Sequence, residues 1–545
     1  MATSDRSLAS QVSKAVVWNT LFAPLRLVAE VVATLAKLNQ LSLASFGLLA
    51  MVSGASKILG TGIDLGTTRA LPKYIPETDR AGGALATLRL LQLVLAAQLT
   101  LLLLVVIGLA LFQPAFLDYL RSLIMDDQRL TPPSRDQLLT FIQSHGWLLV
   151  ATVPSLLFFG ICYDMLMAYL SSFFKQRAWN SVDLTARVLP QLLIVGAILV
   201  GWDILGVLGA MVLAPAIVVS LATWQVIRLR RELRTTQGIP ISTAPLVEWR
   251  RWLPPGFLRY SAVSFLMTAT DMVASVNFAL FLVGDIGDVA LLWAGNSLVS
   301  MALSYLYTPM VGVQVPLFAR VRQGEGGTLN GAYQSLVRLQ LLLLIPGGAG
   351  LILLAEPALL VISPQYLIAA PIVWVLVPCL FAECLLTTAH NALIVYERLP
   401  VIVASRLITL LLVVPLAWFL PPQCGLIGVA LAFGLARIGA GLWVTASGMG
   451  LLGLRWPWRF TLRVIGASIV MILVILSVRG FLPPLPDTAS LIQRLVEALW
   501  LIAMAALGAM SFFVALRLVG GLDPQDRAQL ERMRLPLKRW IMRLL

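Results

Sequence analysis

Apolar runs of about twenty residues or more recur along the whole chain, separated by short polar turns. Fourteen can be marked: 12–37, 41–64, 84–112, 147–170, 183–201, 204–227, 255–282, 288–312, 333–355, 367–393, 400–420, 425–452, 462–482 and 491–519. Each is long enough to cross a hydrocarbon core of roughly 30 Å as a helix. They are apolar on every face rather than alternating, which excludes spanning strands. The pattern predicts an all-α integral membrane protein of about 14 transmembrane helices. The longest polar stretches, Gln113 to His145, Arg228 to Trp252 and the tail after Gly521, are too short for a soluble core.

Charge then orients the spans. Of 40 lysines and arginines, thirty fall on the side that holds both termini and six on the other, with Arg26, Lys57, Arg89 and Arg437 inside spans. By the positive-inside rule the termini are cytoplasmic, and an odd number of spans would scramble the sorting. The net charge of +14 is explained by this topology and by contact with anionic membrane lipids. No basic soluble domain exists to hold nucleic acid. The four cysteines, Cys162, Cys379, Cys384 and Cys424, are scattered through apolar segments, and there are two histidines; neither a metal site nor a disulfide framework is expected. The first apolar segment outruns the h-region of a signal peptide, so no cleavable leader is expected.

Two registers suggest an internal duplication. Shifted by 244, Leu48-Leu49-Ala50 falls on Leu292-Trp293-Ala294 and Pro72 on Pro316. Shifted by 219, Asp164 falls on Glu383, Arg187 on Arg406, and Gly206 and Gly209 on Gly425 and Gly428. An insertion in the outer loop 113–146, relative to 356–366, reconciles the two. The predicted organisation is an N-lobe (1–227), a basic cytoplasmic linker (228–254), a C-lobe (255–452), two extra spans (453–520) and a basic cytoplasmic tail (521–545). The lobes are two pseudo-symmetric six-helix bundles.

Ionisable residues inside spans need a reason. Asp164 with Arg187, and Glu383 with Arg406, flank turns at matched depth, and two inter-helix ion pairs are expected. Arg26 and Glu30 share one face of the first span. Asp271 lies near the middle of the seventh, at a position nearly equivalent to Arg26. Arg26, Glu30 and Asp271 form the leading candidate functional set. Arg26, Lys57, Arg69, Lys73 and Arg320 are the candidate substrate-binding residues; Arg69, Lys73, Arg320 and Arg322 cluster at the cytoplasmic ends of spans two and eight as a basic mouth suited to a phosphate-bearing headgroup.

Three stretches stand out: Gly62-Ile63-Asp64-Leu65-Gly66 followed by Arg69-Ala70-Leu71-Pro72-Lys73-Tyr74-Ile75-Pro76-Glu77; Thr270-Asp271-Met272 followed by Gly287-Asp288-Val289-Ala290 and by Val315-Pro316 with Arg320; and Cys424-Gly425-Leu426-Ile427-Gly428-Val429-Ala430. Taken together they resemble the polysaccharide transporter family, which includes the oligosaccharide-lipid flippases of the multidrug/oligosaccharidyl-lipid/polysaccharide (MOP) exporter superfamily. The likeness is diffuse and extends over most of the chain. It implies two lobes in a V around a central cavity, as in the related MATE exporters, and alternating access. It implies movement of a polyprenyl-diphosphate-linked oligosaccharide to the outer leaflet of the bacterial cytoplasmic (inner) membrane. Coupling to H+ or Na+, with Asp271 and Glu30 as the candidate ion-coupling residues, no cofactor, a monomeric state and glycan-assembly enzymes as partners accompany that expectation.

A drug/cation antiporter and a lipid II flippase of the same superfamily are the nearest alternatives. The single arginine beside Glu30 on span one argues against the lipid II reading, because lipid II flippases resemble a more arginine-rich pattern there. A membrane glycosyltransferase using Asp126-Asp127 in the long outer loop as metal ligands is the alternative from another class.

Overall fold

The computed structural model describes residues 29–30, 32–34, 36–37, 40–172, 176–237, 253–322, 324, 327–480 and 491–520. The described secondary structure is helical. Eleven of the described helices are long and apolar enough to cross a membrane, or twelve if Phe257–Val273 and Val276–Leu282, bent by 51°, form one broken span. One of the eleven, Leu399–Leu452, has 54 residues. At 1.5 Å per residue it would reach about 80 Å, more than twice a hydrocarbon core. Non-helical backbone at Gly425 (φ 56°, ψ −135°) divides it into two crossings. The predicted first span falls largely on residues outside the description.

The chain divides into two compact units. One holds the described residues up to Val273 together with Leu280–Ala290; the other holds Ala274–Ala279 and the described residues from Leu291 onward.

The first unit contains α1 (Leu43–Asp64), α2 (Thr67–Leu111), α3 (Gln113–Met125), α4 (Pro132–Ser172), α5 (Gln176–Leu199), α6 (Asp203–Gln237) and α7 (Phe257–Val273). The helix α2 is a hairpin of two arms, folded at Gly83 (φ 68°, ψ −169°). Gln98 Nε2 donates to Thr67 Oγ1 across the arms (2.8 Å), and the two residues lie almost equally far from Gly83. Such buried side-chain bonds matter in a bilayer, where apolar contact alone does not favour protein over lipid. One core cluster joins Ala70, Leu71, Tyr74, Ile75, Leu90 and Val94 of α2 to Met165 and Ala168 of α4 and Phe257 of α7. A second joins α4, α5 and α6 through Leu170, Val182, Val218 and Ala222. The polar stretch 113–146, expected as a loop, is mostly helix: α3 followed by the first turns of α4.

The second unit begins with the short α8 (Val276–Ala279) and takes up α9 (Ile286–Leu306) from Leu291. It continues through α10 (Thr308–Arg322), α11 (Leu329–Ile362), α12 (Ala370–Val395), α13 (Leu399–Leu452), α14 (Trp458–Arg479) and α15 (Leu491–Leu518). Three bonds at membrane depth tie α12 to its neighbours. Thr388 Oγ1 donates to Gln340 Oε1 of α11 (2.7 Å). Asn391 Nδ2 donates to Gln314 Oε1 of α10 (2.7 Å). Arg437 of α13 pairs with Glu383 (2.8 Å). Arg479, at the end of α14, pairs with Glu356 of α11 and donates to the carbonyl of Leu353 (3.2 Å).

Candidate functional site

The site is built on the junction of α1 and α2. Leu65 (φ 52°) and Gly66 (φ 73°) are both left-handed, which turns the chain between the two helices. Asp64 Oδ1 accepts from the Thr68 backbone N–H (2.9 Å), from Thr68 Oγ1 (2.6 Å) and from Thr67 Oγ1 (3.1 Å). It thereby satisfies donors at the start of α2, as an N-cap side chain does. Gly66 meets the backbone of α7: a Cβ placed there would lie 2.3 Å from the Ser261 carbonyl oxygen and 2.5 Å from the Phe265 nitrogen. Only glycine permits both that approach and that φ.

One turn beyond Gly66, Arg69 Nη2 lies 3.9 Å from Asp271 Oδ2 of α7, with the two side chains 46% and 38% exposed. Helical side chains lean toward the N-terminus of their own helix. Arg69 therefore leans back toward Gly66, and Asp271 leans back toward the Phe265 turn that Gly66 touches. A further turn along, Lys73 Nζ stands 4.6 Å from the ring centroid of Tyr260 and 5.0 Å from that of Tyr74. Those rings meet edge to face at 6.0 Å, and Phe257 completes the cluster at 5.4 Å from Tyr74. Cation–π contact holds the ammonium in place without neutralising it, and Lys73 makes no ion pair among the described residues. The result is a partly exposed patch with two cations, one carboxylate and an aromatic wall.

Sequence reasoning named Arg69, Lys73 and Asp271, and the structure brings them together. It did not find Tyr74, Tyr260 or Phe257; a Lys-Tyr pair facing a Tyr three residues past a helix start is too common a pattern to single out. Lys57 lies on the exposed face of α1. Glu30 is helical and partly exposed, and Arg26 lies outside the described residues. Arg320 is in α10 of the second unit, and its side chain lies outside the description.

The two expected ion pairs are corrected. Glu383 pairs with Arg437, not Arg406. The α12–α13 turn comes at 396–398, later than the midpoint between the two residues, so Glu383 lies about five residues deeper than Arg406, roughly 7 Å along a helix. Glu383 is 13 residues past Ala370 and Arg437 is 12 past Gly425, which puts those two at equal depth. Arg187 bonds Asp183 one turn away on its own helix (3.0 Å) rather than Asp164; the partner at i−4 lies within reach without crossing to α4.

A second polar cluster surrounds Asp127, which with Asp126 would be a metal ligand in the glycosyltransferase alternative. Asp127 is fully buried. Its Oδ2 accepts from the Gly287 N–H and its Oδ1 from the Arg129 N–H, both at 2.9 Å. Arg129 pairs with Asp288 (2.6 Å), and Asp285 Oδ1 accepts from the Asp288 N–H (2.7 Å). Asp127 and Asp285 together cap the positive end of α9. Asp127 thus works as a helix cap, with both carboxylate oxygens engaged by the protein.

No protein-family profile matches the sequence, and no curated protein matches it. Solved structures do match the fold. The lipid II flippase MurJ in an inward closed conformation superposes with TM-score 0.64 and 15% identity, over 91% of this chain and 98% of that one. An inward-facing multidrug-resistance MATE transporter of the MOP superfamily gives TM-score 0.54 and 14% identity, over 78% and 94%. The Vibrio cholerae MATE transporter VcmN gives 0.51 and 17%, over 83% and 98%. At these identities the likeness is one of fold, and the fold is of the kind shared by MurJ and the MATE transporters. The expectation of an all-α, MATE-like membrane fold is borne out at that level.

Proposed function

We propose that this multi-pass membrane protein with a MurJ- and MATE-like fold is a flippase. It moves a polyprenyl-diphosphate-linked oligosaccharide from the cytoplasmic to the outer leaflet of a bacterial cytoplasmic membrane by alternating access. The observation that carries the reading is the Arg69–Asp271 pair beside the aromatic-held Lys73. An exposed pair at 3.9 Å is worth well under about 1 kcal/mol. A diphosphate offers Arg69 a stronger, two-pronged partner and Lys73 a second contact, while Tyr74 and Tyr260 give sugar rings an apolar face. A drug/cation antiporter would instead need an acidic pocket, and this patch holds two cations to one acid. The likeness to MurJ supports lipid II as a second candidate; it belongs to the same chemical class of diphosphate-linked isoprenoid.

In this reading both termini are cytoplasmic, and the positive-inside distribution supports that orientation. Coupling to H+ or Na+ would pass through Asp271, with Glu30 as its companion, and enzymes of glycan assembly would supply the substrate. The test is translocation in proteoliposomes of a fluorescent polyprenyl-diphosphate-linked oligosaccharide, with lipid II as competitor. Arg69→Gln and Lys73→Gln are each expected to slow movement tenfold or more while membrane insertion is unchanged. Asp271→Asn is expected to remove any dependence on an imposed proton or sodium gradient. Translocation at the unaltered rate in all three variants would overturn the proposal.

A further inference from the structure

We infer that the segment joining α13 to α14, Gly453–Arg459, is a binding site for the phosphate of an anionic phospholipid in the surrounding bilayer. The inference concerns the second unit alone and is independent of the transport reading.

The segment is pinned from within. Gly453 (φ 65°) ends α13 in a left-handed cap, and Leu454 is buried against Gly448. Both backbone groups of Arg455 are taken by α11. Its N–H donates to Asn330 Oδ1 (2.8 Å), and its carbonyl accepts from Gln334 Nε2 (3.1 Å). Trp456 Nε1 donates to Thr461 Oγ1 (3.0 Å) in the first turn of α14. The backbone is thus fixed before any ligand arrives, and little ordering remains to oppose binding.

What it presents outward is cationic and aromatic. Arg455 and Arg459 are exposed, and neither guanidinium makes an ion pair or hydrogen bond among the described residues. The sequence supplies no local acid, because no Asp or Glu occurs between Glu397 and Asp487. Trp458 is 68% exposed, and its ring lies 6.1 Å from that of Trp456 at 49°.

Position selects the ligand. The segment links two helices of membrane-crossing length, so it lies at a membrane surface, where lipid phosphates are. An exposed indole between two unneutralised arginines suits that interface, with the ring among acyl-chain ends and the guanidinium forks on a phosphate. A freely diffusing phosphate would satisfy the arginines and leave Trp458 without a role.

The test titrates phosphatidylglycerol into the full-length protein in lysophosphatidylcholine micelles and reads the shift in unfolding temperature. Parallel arms use phosphatidylcholine and soluble glycerol phosphate. Saturable stabilisation by phosphatidylglycerol alone is expected. Two interfacial cations at the usual strength make Arg455→Gln/Arg459→Gln bind on the order of thirty-fold more weakly. Arg121→Gln/Arg187→Gln, which removes equal charge elsewhere, should titrate as the wild type. Trp458→Ala leaves both cations in place and is expected to weaken binding several-fold; being exposed, it does not threaten the fold. The inference fails if the arginine and tryptophan variants both titrate like wild type, or if glycerol phosphate stabilises as well as the lipid.

Discussion

Replacing Gly66 with alanine should damage the protein far more than the same replacement at Gly453. Both glycines are left-handed, with φ/ψ of 73°/12° and 65°/25°, so alanine at either costs about 1–2 kcal/mol for the backbone. They differ in what a methyl group would meet. At Gly453 nothing lies within 4 Å, whereas at Gly66 the Ser261 carbonyl oxygen is 2.3 Å away and the Phe265 nitrogen 2.5 Å. Ordinary contact begins at 3.4 Å, so α7 would have to retreat by about an ångström, and overpacking of that kind costs a further 1–3 kcal/mol or so. Gly66→Ala is therefore expected to lose about 2–5 kcal/mol. The same retreat would carry Asp271 away from Arg69, whose 3.9 Å separation is already at the outer limit of an ion pair. Unfolding of the two single variants in one detergent measures the difference, and translocation in proteoliposomes measures the consequence. If Gly66→Ala is no less stable than Gly453→Ala, the close approach of the α1–α2 junction to α7 is wrong.

The cap on α9 yields two further expectations. Asp127→Ala leaves the buried N–H of Gly287 without its acceptor, which costs about 1–3 kcal/mol. Asp127→Asn keeps one oxygen and should recover part of that; faster amide exchange at 287–289 in the alanine variant alone is the local readout, and unchanged exchange would count against the cap. Burial raises the carboxyl pKa of Asp285 above its ordinary value. The nearby Asp288 and Asp127 add to the shift; the Asp288 N–H and Arg129 oppose it. A carboxyl raised in the folded state is a liability once it ionises, so its cost is present above the folded value and vanishes below the unfolded one. Asp285→Asn keeps the oxygen that caps Asp288, so it should be more stable than wild type at pH 7 and lose that advantage as pH falls toward 4. An advantage of equal size at both pH values would show that ionisation is not its source.

The spans were legible because a bilayer imposes one strong rule: backbone polar groups must be satisfied within the segment. Runs of twenty apolar residues therefore read directly as helices. The breaks within helices were less legible. The sequence shows a glycine at 83 and one at 425, but many other glycines sit in these helices without bending them. What distinguishes the two is where the chain must reverse after one bilayer thickness, a tertiary requirement. The segment 113–146 was misread as a loop because its polarity was taken for lack of structure. Its polar residues lie instead on α3 and on the first turns of α4, with Leu117, Leu120, Leu123 and Ile124 as the buried face of α3.

The ion pairs show where a sequence reading of a membrane site reaches its limit. Matching depth is a sound criterion, but it depends on where each turn falls. Taking the α12–α13 turn as midway between Glu383 and Arg406, when it lies at 396–398, exchanged Arg437 for Arg406 as the partner of Glu383. Arg69 and Asp271 fare differently because their meeting does not depend on a turn between them. It depends on Gly66, where the missing side chain lets two backbones touch. That glycine stands in one of the stretches that carried the family resemblance, and the structure supplies its physical reason. The Gly62–Gly66 run and the Arg69–Lys73 run are two parts of one device. The first brings the α1–α2 junction against α7, and the second uses that closeness to set an arginine opposite an aspartate and a lysine between two tyrosines.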